Sequence, residues 1–190
     1  MNKQMNFISV MLLTLLFLVG CSSKDKFRVA KNNVGYLNSK TTVQEIDALF
    51  ENDSVVKHLS EGVLGYKGRY AQEDDKYLIY SKEGAHLMTL TPKEPLDSLS
   101  TLRYIDIYST AYTTEKGIGL NSTFEEINFL ENIVKTDATF TKVILYLDQL
   151  NATFTLDKKD VGITSLTTNE VQLEQIPNLA KPTSFVVWFD

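Results

Sequence analysis

The sequence holds few of the residue types that carry out catalysis. It contains one cysteine, Cys21, and two histidines, His58 and His86. No cysteine or histidine pair has the spacing of a zinc site, and there is no Gly-x-Ser-x-Gly motif and no Ser-x-x-Lys with its usual companion motifs. We therefore predict no catalytic residue and no metal site, and we expect both histidines to be ordinary surface or strand residues.

Paired carboxylates are the remaining groups with catalytic potential, because glycoside hydrolysis needs only two of them. Asp74-Asp75 and Glu125-Glu126 are adjacent acidic pairs. A predicted helix start explains the second pair, since acidic side chains are stabilised at a helix N-terminus. A solvated turn explains the first pair. A hydrolase that uses paired carboxylates is therefore an alternative and not the favoured function.

A run of alternating residues offers a binding surface instead. Tyr104, Asp106 and Tyr108 are two positions apart, so in a strand all three side chains point to one face. Tyrosine on a half-exposed sheet suits the binding of proteins or sugars, although strands favour tyrosine in any case. We assign the apolar run 185–189, which contains the only tryptophan, Trp188, to the core.

Cys21 ends an N-terminal segment that has the features of a secretory signal. Lys3 is followed by an almost wholly apolar run over residues 7–18, and the small residue Gly20 precedes Cys21. The run is shorter than the roughly 20 residues that span a membrane comfortably. An uncleaved membrane anchor and a secreted protein with a free thiol are the two alternatives.

The ending Leu18-Val19-Gly20-Cys21 resembles the lipobox of bacterial lipoproteins. The resemblance implies cleavage between Gly20 and Cys21, with diacylglycerol on the thiol and a further acyl chain on the new amino terminus. Beyond these covalent lipids, no cofactor is expected. The resemblance also implies a protein of the bacterial cell envelope, and Ser22 after the cysteine favours the outer membrane over the inner or plasma membrane.

The net charge of the chain disfavours some classes of binding partner. Cleavage would remove Lys3 and no acidic residue, so the formal net charge of −5 becomes −6. An acidic chain disfavours nucleic acid, whose phosphates call for a basic surface. It also has no polybasic patch for membrane binding, so contact with the membrane is predicted to depend on the lipid anchor.

Two segments of the chain share a sequence pattern. Residues 42–49 and 123–130 both have the pattern Thr-apolar-x-Glu-Ile-x-x-Leu. In each, a threonine at the N-cap and a glutamate three residues later can form a capping box, and apolar residues at every third position lie near one helix face. Chance similarity between two ordinary capped helices is the alternative to an internal duplication.

Each predicted helix is followed by runs of β-branched and aromatic residues that are typical of strands. We predict strands over residues 77–80, 85–91 and 102–108 in the first half and over residues 143–146, 151–156 and 184–189 in the second. The predicted fold is α+β, a tandem repeat of a helix plus a three-stranded antiparallel sheet, with one helix layer on one sheet layer. The predicted segments are a signal peptide at 1–20, a polar tether at 21–30 and repeats at 31–110 and 111–190 that form one compact unit.

This order of elements resembles the superfamily of β-lactamase-inhibitory protein and the small outer-membrane assembly lipoproteins. The resemblance covers roughly residues 31–190 and rests on element order, so it carries over no functional residue. It implies binding of other proteins, and we predict a non-catalytic protein-binding or envelope-assembly module with an envelope protein as its partner. The alternatives are the hydrolase and an enzyme inhibitor or immunity-type lipoprotein.

Overall fold

The computed structural model describes residues 26–61, 73–163 and 171–189. Within these ranges the fold is mostly β, with twelve strands and two short α-helices. The strands are β1 (Arg28–Ala30), β2 (Asn33–Val34), β3 (Leu37–Asn38), β4 (Ser54–His58), β5 (Lys76–Tyr80), β6 (His86–Pro92), β7 (Leu102–Ile107), β8 (Thr113–Thr114), β9 (Ile133–Ala138), β10 (Lys142–Leu147), β11 (Ala152–Asp157) and β12 (Ser184–Trp188). The helices are α1 (Ile46–Leu49) and α2 (Phe124–Leu130), and 3-10 turns cover Val43–Glu45, Asp148–Leu150 and Leu173–Gln175.

Eight strands form one antiparallel sheet in the order β4-β5-β6-β7-β12-β11-β10-β9. Four neighbouring strands come from each half of the chain. Strands β7 and β12 meet at the centre of the sheet, where Ile107 is paired with Phe185. The other four strands form a small sheet in the order β3-β2-β1-β8, in which β1 and β8 run parallel.

One face of the large sheet is apolar and closed. Side chains alternate between the two faces of a strand, so residues paired across neighbouring strands share a face. One row of this face consists of Ile79, Met88, Ile107, Phe185, Phe154 and Leu145, all at most 2% exposed. The same buried cluster includes Val29 and Leu37 of the small sheet and Ile46 and Ile127 of the helices. These smaller elements therefore cover the apolar face.

The predicted α+β fold, a tandem repeat with one helix layer on one sheet layer, is wrong. The two helices have four and seven residues, which is one or two turns each, and helices so short cannot form a layer. Each half contributes four strands to the large sheet instead of three. The sequence allows either a strand or an irregular loop over residues 55–70, and β4 is a strand at the start of that range. Strand β9 and the four strands of the small sheet are not predicted. Polar residues such as Lys135 obscure the β pattern of β9.

Both predicted helix starts are present. At α2 the Thr123 Oγ1 accepts from the Glu126 N–H at 3.3 Å, and Glu126 Oε2 accepts from the Thr123 N–H at 2.8 Å. In the first half the Thr42 N–H donates to Glu45 Oε2 at 2.7 Å, and a 3-10 turn leads into α1. These hydrogen bonds lower the pKa of Glu45 and of Glu126. They also satisfy backbone donors that a helix start leaves without partners.

The fold includes the last residues of the predicted tether. Residues 28–30 form β1, and Val29 is fully buried. Lys26 is bound to the fold as well, because its Nζ lies 2.9 Å from Asp53 Oδ2. The predicted cleavage and lipidation residues, Leu18, Val19, Gly20 and Cys21, lie outside the described residues. Among the helices in the described ranges, none combines the length and the apolar character needed to cross a membrane.

Candidate binding surface

The second face of the large sheet, which we call the open face, has the composition of a binding surface. Its middle row crosses all eight strands in register and consists of Val56, Leu78, Thr89, Asp106, Val186, Thr153, Tyr146 and Lys135. Thr89 and Thr153 are buried, and the other six side chains are partly or fully exposed. Threonine, tyrosine and charged residues thus occupy five of the eight positions of this row, and the other three are aliphatic.

The structure places all three predicted surface residues on the open face. Tyr104 and Asp106 lie in β7, and Tyr108 directly follows it, with its N–H donating to Leu87 O at 3.0 Å. Tyr108 is 52% exposed, whereas Tyr104 and Asp106 are half-buried. The three do not form one cluster, because Tyr108 packs against the His86 ring of β6 while Tyr104 packs against Trp188 of β12.

Tyr80, His86 and Tyr108 form a column of rings that we call the aromatic stack. The Tyr80 and His86 ring centroids are 4.8 Å apart, and those of His86 and Tyr108 are 4.2 Å apart, with interplanar angles of 25° and 20°. Each ring comes from a different strand or its end, so sequence spacing alone does not bring them together. The only sequence sign of the stack is that all three residues lie at predicted strand ends.

His86 is held by polar contacts as well as by stacking. Its Nε2 lies 3.2 Å from Met88 O and 3.1 Å from Thr89 Oγ1. A carbonyl oxygen only accepts hydrogen bonds, so Nε2 carries the hydrogen in this arrangement. The polar contacts therefore fix the imidazole within its own plane, and stacking fixes it perpendicular to that plane. The imidazole in turn orders Tyr80 and Tyr108, which lie on either side of it.

Asp106 places a carboxylate beside the aromatic stack. Burial raises the pKa of Asp106, while Lys76 and His86 act in the opposite direction. Burial also raises the pKa of the Tyr108 hydroxyl, and the charge of Asp106 raises it further. Tyr108 therefore presents a neutral phenol group next to the Asp106 carboxyl group.

A second aromatic contact lies toward the opposite end of the strands. The rings of Tyr104 and Trp188 are 4.9 Å apart at 50°, and the guanidinium carbon of Arg103 is 5.5 Å from the centre of the Tyr104 ring. Arg103 Nη2 is in turn 2.6 Å from Asp74 Oδ1. These contacts order Tyr104 and one side of Trp188.

The position of Trp188 differs from the prediction that the apolar run 185–189 lies in the core. Within the run 185–189, Phe185, Val187 and Phe189 are buried as predicted, but Trp188 is 40% exposed. Trp188 is paired with Tyr104, so it belongs to the open face. It borders a groove of about 300 Å³, which we call the Trp188 groove and which is lined by Val134, Tyr146, Leu147, Asp148, Asn151, Ala152, Thr153 and Trp188.

The adjacent carboxylates have structural contacts. Asp75 is 1% exposed, and its two oxygens accept the Ser60 and Leu96 N–H groups, both at 2.7 Å. The prediction of a solvated turn is therefore wrong for Asp75. Asp74 pairs with Arg103 as described, and Glu126 belongs to the capping box of α2. Glu125 is at an exposed helix position, and its Oε1 accepts from Asn178 Nδ2 at 3.5 Å.

Metal-ligand clusters are absent from the part of the chain that the structure describes, since no three His, Cys, Asp or Glu residues converge there. His58 lies at the exposed end of β4, and His86 is part of the aromatic stack.

No protein-family model matches the chain, and a comparison with curated proteins finds no match. The fold is similar to that of the uncharacterized protein yfeY from Escherichia coli, with a TM-score of 0.52. That similarity covers 85% of this chain and 99% of the yfeY chain at 12% sequence identity. At this identity the likeness shows a common fold and supports no specific function.

Proposed function

We propose that this chain is a non-catalytic binding protein of the bacterial cell envelope, tethered by lipid on Cys21, and that its aromatic stack binds an envelope protein. The asymmetry of the large sheet carries the proposal. One face is filled by the core, whereas the other presents Tyr80, His86 and Tyr108. Aromatic side chains supply a large contact area at a small cost in conformational freedom.

The geometry of the aromatic stack favours a protein partner. The rings are already ordered against each other, so binding would fix few additional side-chain torsions. Protein interfaces are rich in tyrosine, and a few such residues supply most of their binding energy. Tyr108, the most exposed of the predicted surface residues, is the expected anchor. Asp106 adds a charge that would select between partners.

The position of the aromatic stack favours a partner at the membrane. Lys26 binds Asp53, and the next residue, Ser54, is paired with Tyr80 of the stack. The chain from Cys21 to Lys26 can span at most about 18 Å. A lipid on Cys21 would therefore hold this end of the sheet close to the bilayer, which Ser22 suggests is the outer membrane. An envelope protein at the same membrane would lie within reach.

The structure supports the other two candidate functions unequally. The described residues give no support to a hydrolase with paired carboxylates, because Asp74 and Asp75 have structural partners and Glu126 caps a helix. An enzyme inhibitor or immunity-type lipoprotein would use the same kind of surface and differ only in the identity of the partner. The experiment that identifies the partner therefore separates this alternative from an envelope-assembly role.

Site-specific photocrosslinking in intact bacteria tests the proposal. A photoreactive amino acid replaces Tyr108 in the full lipidated chain, and a matched control replaces Phe140, which is 66% exposed on the turn between β9 and β10. We expect one abundant envelope protein to crosslink to position 108 and not to position 140. If the lipidated protein gives no reproducible crosslink at 108, or the same crosslinks at both positions, the assignment of the aromatic stack as the partner site is wrong.

A further inference from the structure

The Trp188 groove is a second candidate site, separate from the aromatic stack. Trp188 is paired with Tyr104, which lies four residues before Tyr108 in the chain. At the rise of a β-strand this corresponds to about 13 Å along β7. The groove also lies on the strands of the second half, whereas Tyr80 and His86 belong to the first. The two sites therefore share the open face without sharing a residue.

Two aromatic walls define the groove, and contacts outside it hold each of them. The Trp188 ring packs on Tyr104, which lies outside the groove. The Trp188 backbone is held by Asn151 of the groove lining, whose carbonyl accepts from the backbone N–H at 2.8 Å and whose Nδ2 donates to the backbone carbonyl at 3.1 Å. Lys135 Nζ lies 5.2 Å from the centre of the Tyr146 ring. Walls that are fixed before a ligand arrives reduce the entropy lost on binding.

The groove combines these walls with polar groups. Thr153 is paired with Tyr146, one strand away from Trp188, so it lies on the floor between the walls. Asp148 places an exposed carboxylate at the rim, and Val134 supplies an aliphatic side. Hydroxyl and carboxylate oxygens are the acceptors that a ligand rich in hydroxyl groups requires.

We propose that the Trp188 groove binds one pyranose ring of an uncharged glycan. A pyranose has C–H faces that pack on aromatic rings and hydroxyl groups around its edge, and this pattern matches the walls and the polar groups of the groove. The volume of about 300 Å³ lies at the lower limit for small-ligand sites, which fits a sugar ring better than a larger ligand. The Asp148 carboxylate and the acidic chain disfavour an anionic sugar.

An apolar peptide segment fits the same groove less well. It would cover the Thr153 hydroxyl without giving it a hydrogen bond, and a buried polar group without a partner is costly. The glycan proposal does not depend on the lipid anchor or on the protein partner of the aromatic stack. Failure of either proposal leaves the other intact.

Tryptophan fluorescence provides a direct test, because Trp188 is the only tryptophan of the chain. The full-length protein, held in a detergent with a zwitterionic headgroup, is titrated with chitotetraose and separately with maltotetraose. We expect a saturable change in emission with at least one of these uncharged oligosaccharides. No saturable change with either one overturns the proposal. Tighter saturation by a short capped apolar peptide, such as N-acetyl-Ala-Leu-Ala-amide, also overturns it.

Substitutions inside and outside the Trp188 groove test where the sugar binds. Tyr146→Ala removes one wall and should weaken sugar binding about tenfold, the loss expected for one aromatic contact. Phe140→Ala is the matched control, since it removes an exposed aromatic side chain outside the groove and outside the aromatic stack, and its affinity should equal that of the wild type. Asp148→Asn, on an exposed turn, should also weaken sugar binding, and it replaces Tyr146→Ala as the test if that variant does not fold. Wild-type affinity in both groove variants, or an equal loss in Phe140→Ala, places the sugar elsewhere and overturns the proposal.

Discussion

The rings of His86 and Tyr108 lie 4.2 Å apart and 20° from parallel, although they belong to two different strand ends. In β6 and β7, Met88 is paired with Ile107 on the apolar face, and the Tyr108 N–H donates to Leu87 O. A register shift between β5 and β6 then pairs Tyr80 with His86 and not with Leu87, and this shift brings His86 to the open face beside Tyr108. Strand pairing therefore creates the surface on which the proposed protein partner binds.

Tyr108→Ala should weaken binding of the envelope partner and leave the fold intact. Truncation of an anchor residue typically costs about 2 kcal/mol or more, which is roughly 30-fold in affinity. Because Tyr108 is half exposed, we expect its loss to change the free energy of unfolding by only about 1 kcal/mol. Affinity for the crosslinked partner and thermal unfolding measure the two effects. Phe140→Ala is the control, and equal weakening by both variants would argue against the aromatic stack.

Asp75→Ala should destabilise the protein more than Asp75→Asn. The alanine leaves the Ser60 and Leu96 N–H groups without their acceptors, and each buried donor left without a partner costs about 1–3 kcal/mol. The asparagine keeps one oxygen and should show a smaller loss. Urea unfolding of the two variants measures the difference. Equal stability of Asp75→Ala and the wild type would mean that the two hydrogen bonds contribute nothing.

Phe154→Ala should cost about 3–5 kcal/mol of unfolding free energy. Phe154 is fully buried at the centre of the apolar face, and its ring stacks on Phe185 with centroids 4.2 Å apart. The truncation removes that contact and leaves a cavity. Phe140→Ala deletes the same side chain from an exposed turn and should change stability by no more than about 0.5 kcal/mol. Similar losses in the two variants would contradict the assignment of the core.

Asp106→Asn should be more stable than the wild type at pH 7. Burial raises the pKa of Asp106 in the folded state, so the native protein binds this proton more tightly than the unfolded chain does. The free energy of unfolding therefore falls as pH rises from the ordinary pKa of about 4 through the raised value, and it stays lower above that value. The advantage of Asp106→Asn should accordingly disappear as the pH falls below about 4.

Asp137→Asn is the control, and its effect on stability should have the opposite sign to that of Asp106→Asn. A hydrogen bond from Lys135 lowers the pKa of Asp137, so this carboxylate stabilises the fold above its ordinary pKa and loses that effect as pH falls through the lowered value. Asp137→Asn should therefore be the less stable protein at pH 7, and its deficit should shrink in acid. Urea unfolding across the acidic range measures both variants. A pH-independent advantage of Asp106→Asn would rule out burial of the charge as its cause.

Cys21→Ser should leave the chain as an uncleaved precursor without lipid, because formation of the thioether requires the thiol. Labelling of growing cells with an alkyne fatty acid, followed by gel mobility, measures both acylation and cleavage. Ser23→Ala, two residues further on, is the control and should be acylated normally. Normal acylation of Cys21→Ser would exclude the lipoprotein interpretation, whereas the groove proposal would stand.

Local patterns in the sequence predict six of the twelve described strands and both helix starts. The six predicted strands are present as β5, β6, β7, β10, β11 and β12, and both capping threonines start a helix or a 3-10 turn. These features depend on residues that are neighbours in the chain: alternation for strands, and a threonine and glutamate three positions apart for the helix starts. The prediction of a helix layer fails because capping shows where a helix begins and not how soon it ends.

The sequence by itself determined six of the twelve described strands, the helix starts and the alternation that puts Tyr104, Asp106 and Tyr108 on one face. The tertiary structure decided the order of the eight strands, the meeting of Tyr80 with His86, and the exposure of Trp188. An unbroken apolar run does not reveal which of its faces is covered, so only the pairing of Trp188 with Tyr104 assigns it to the open face. Contacts between distant segments depend on strand register, which packing of the whole chain sets and no local pattern encodes.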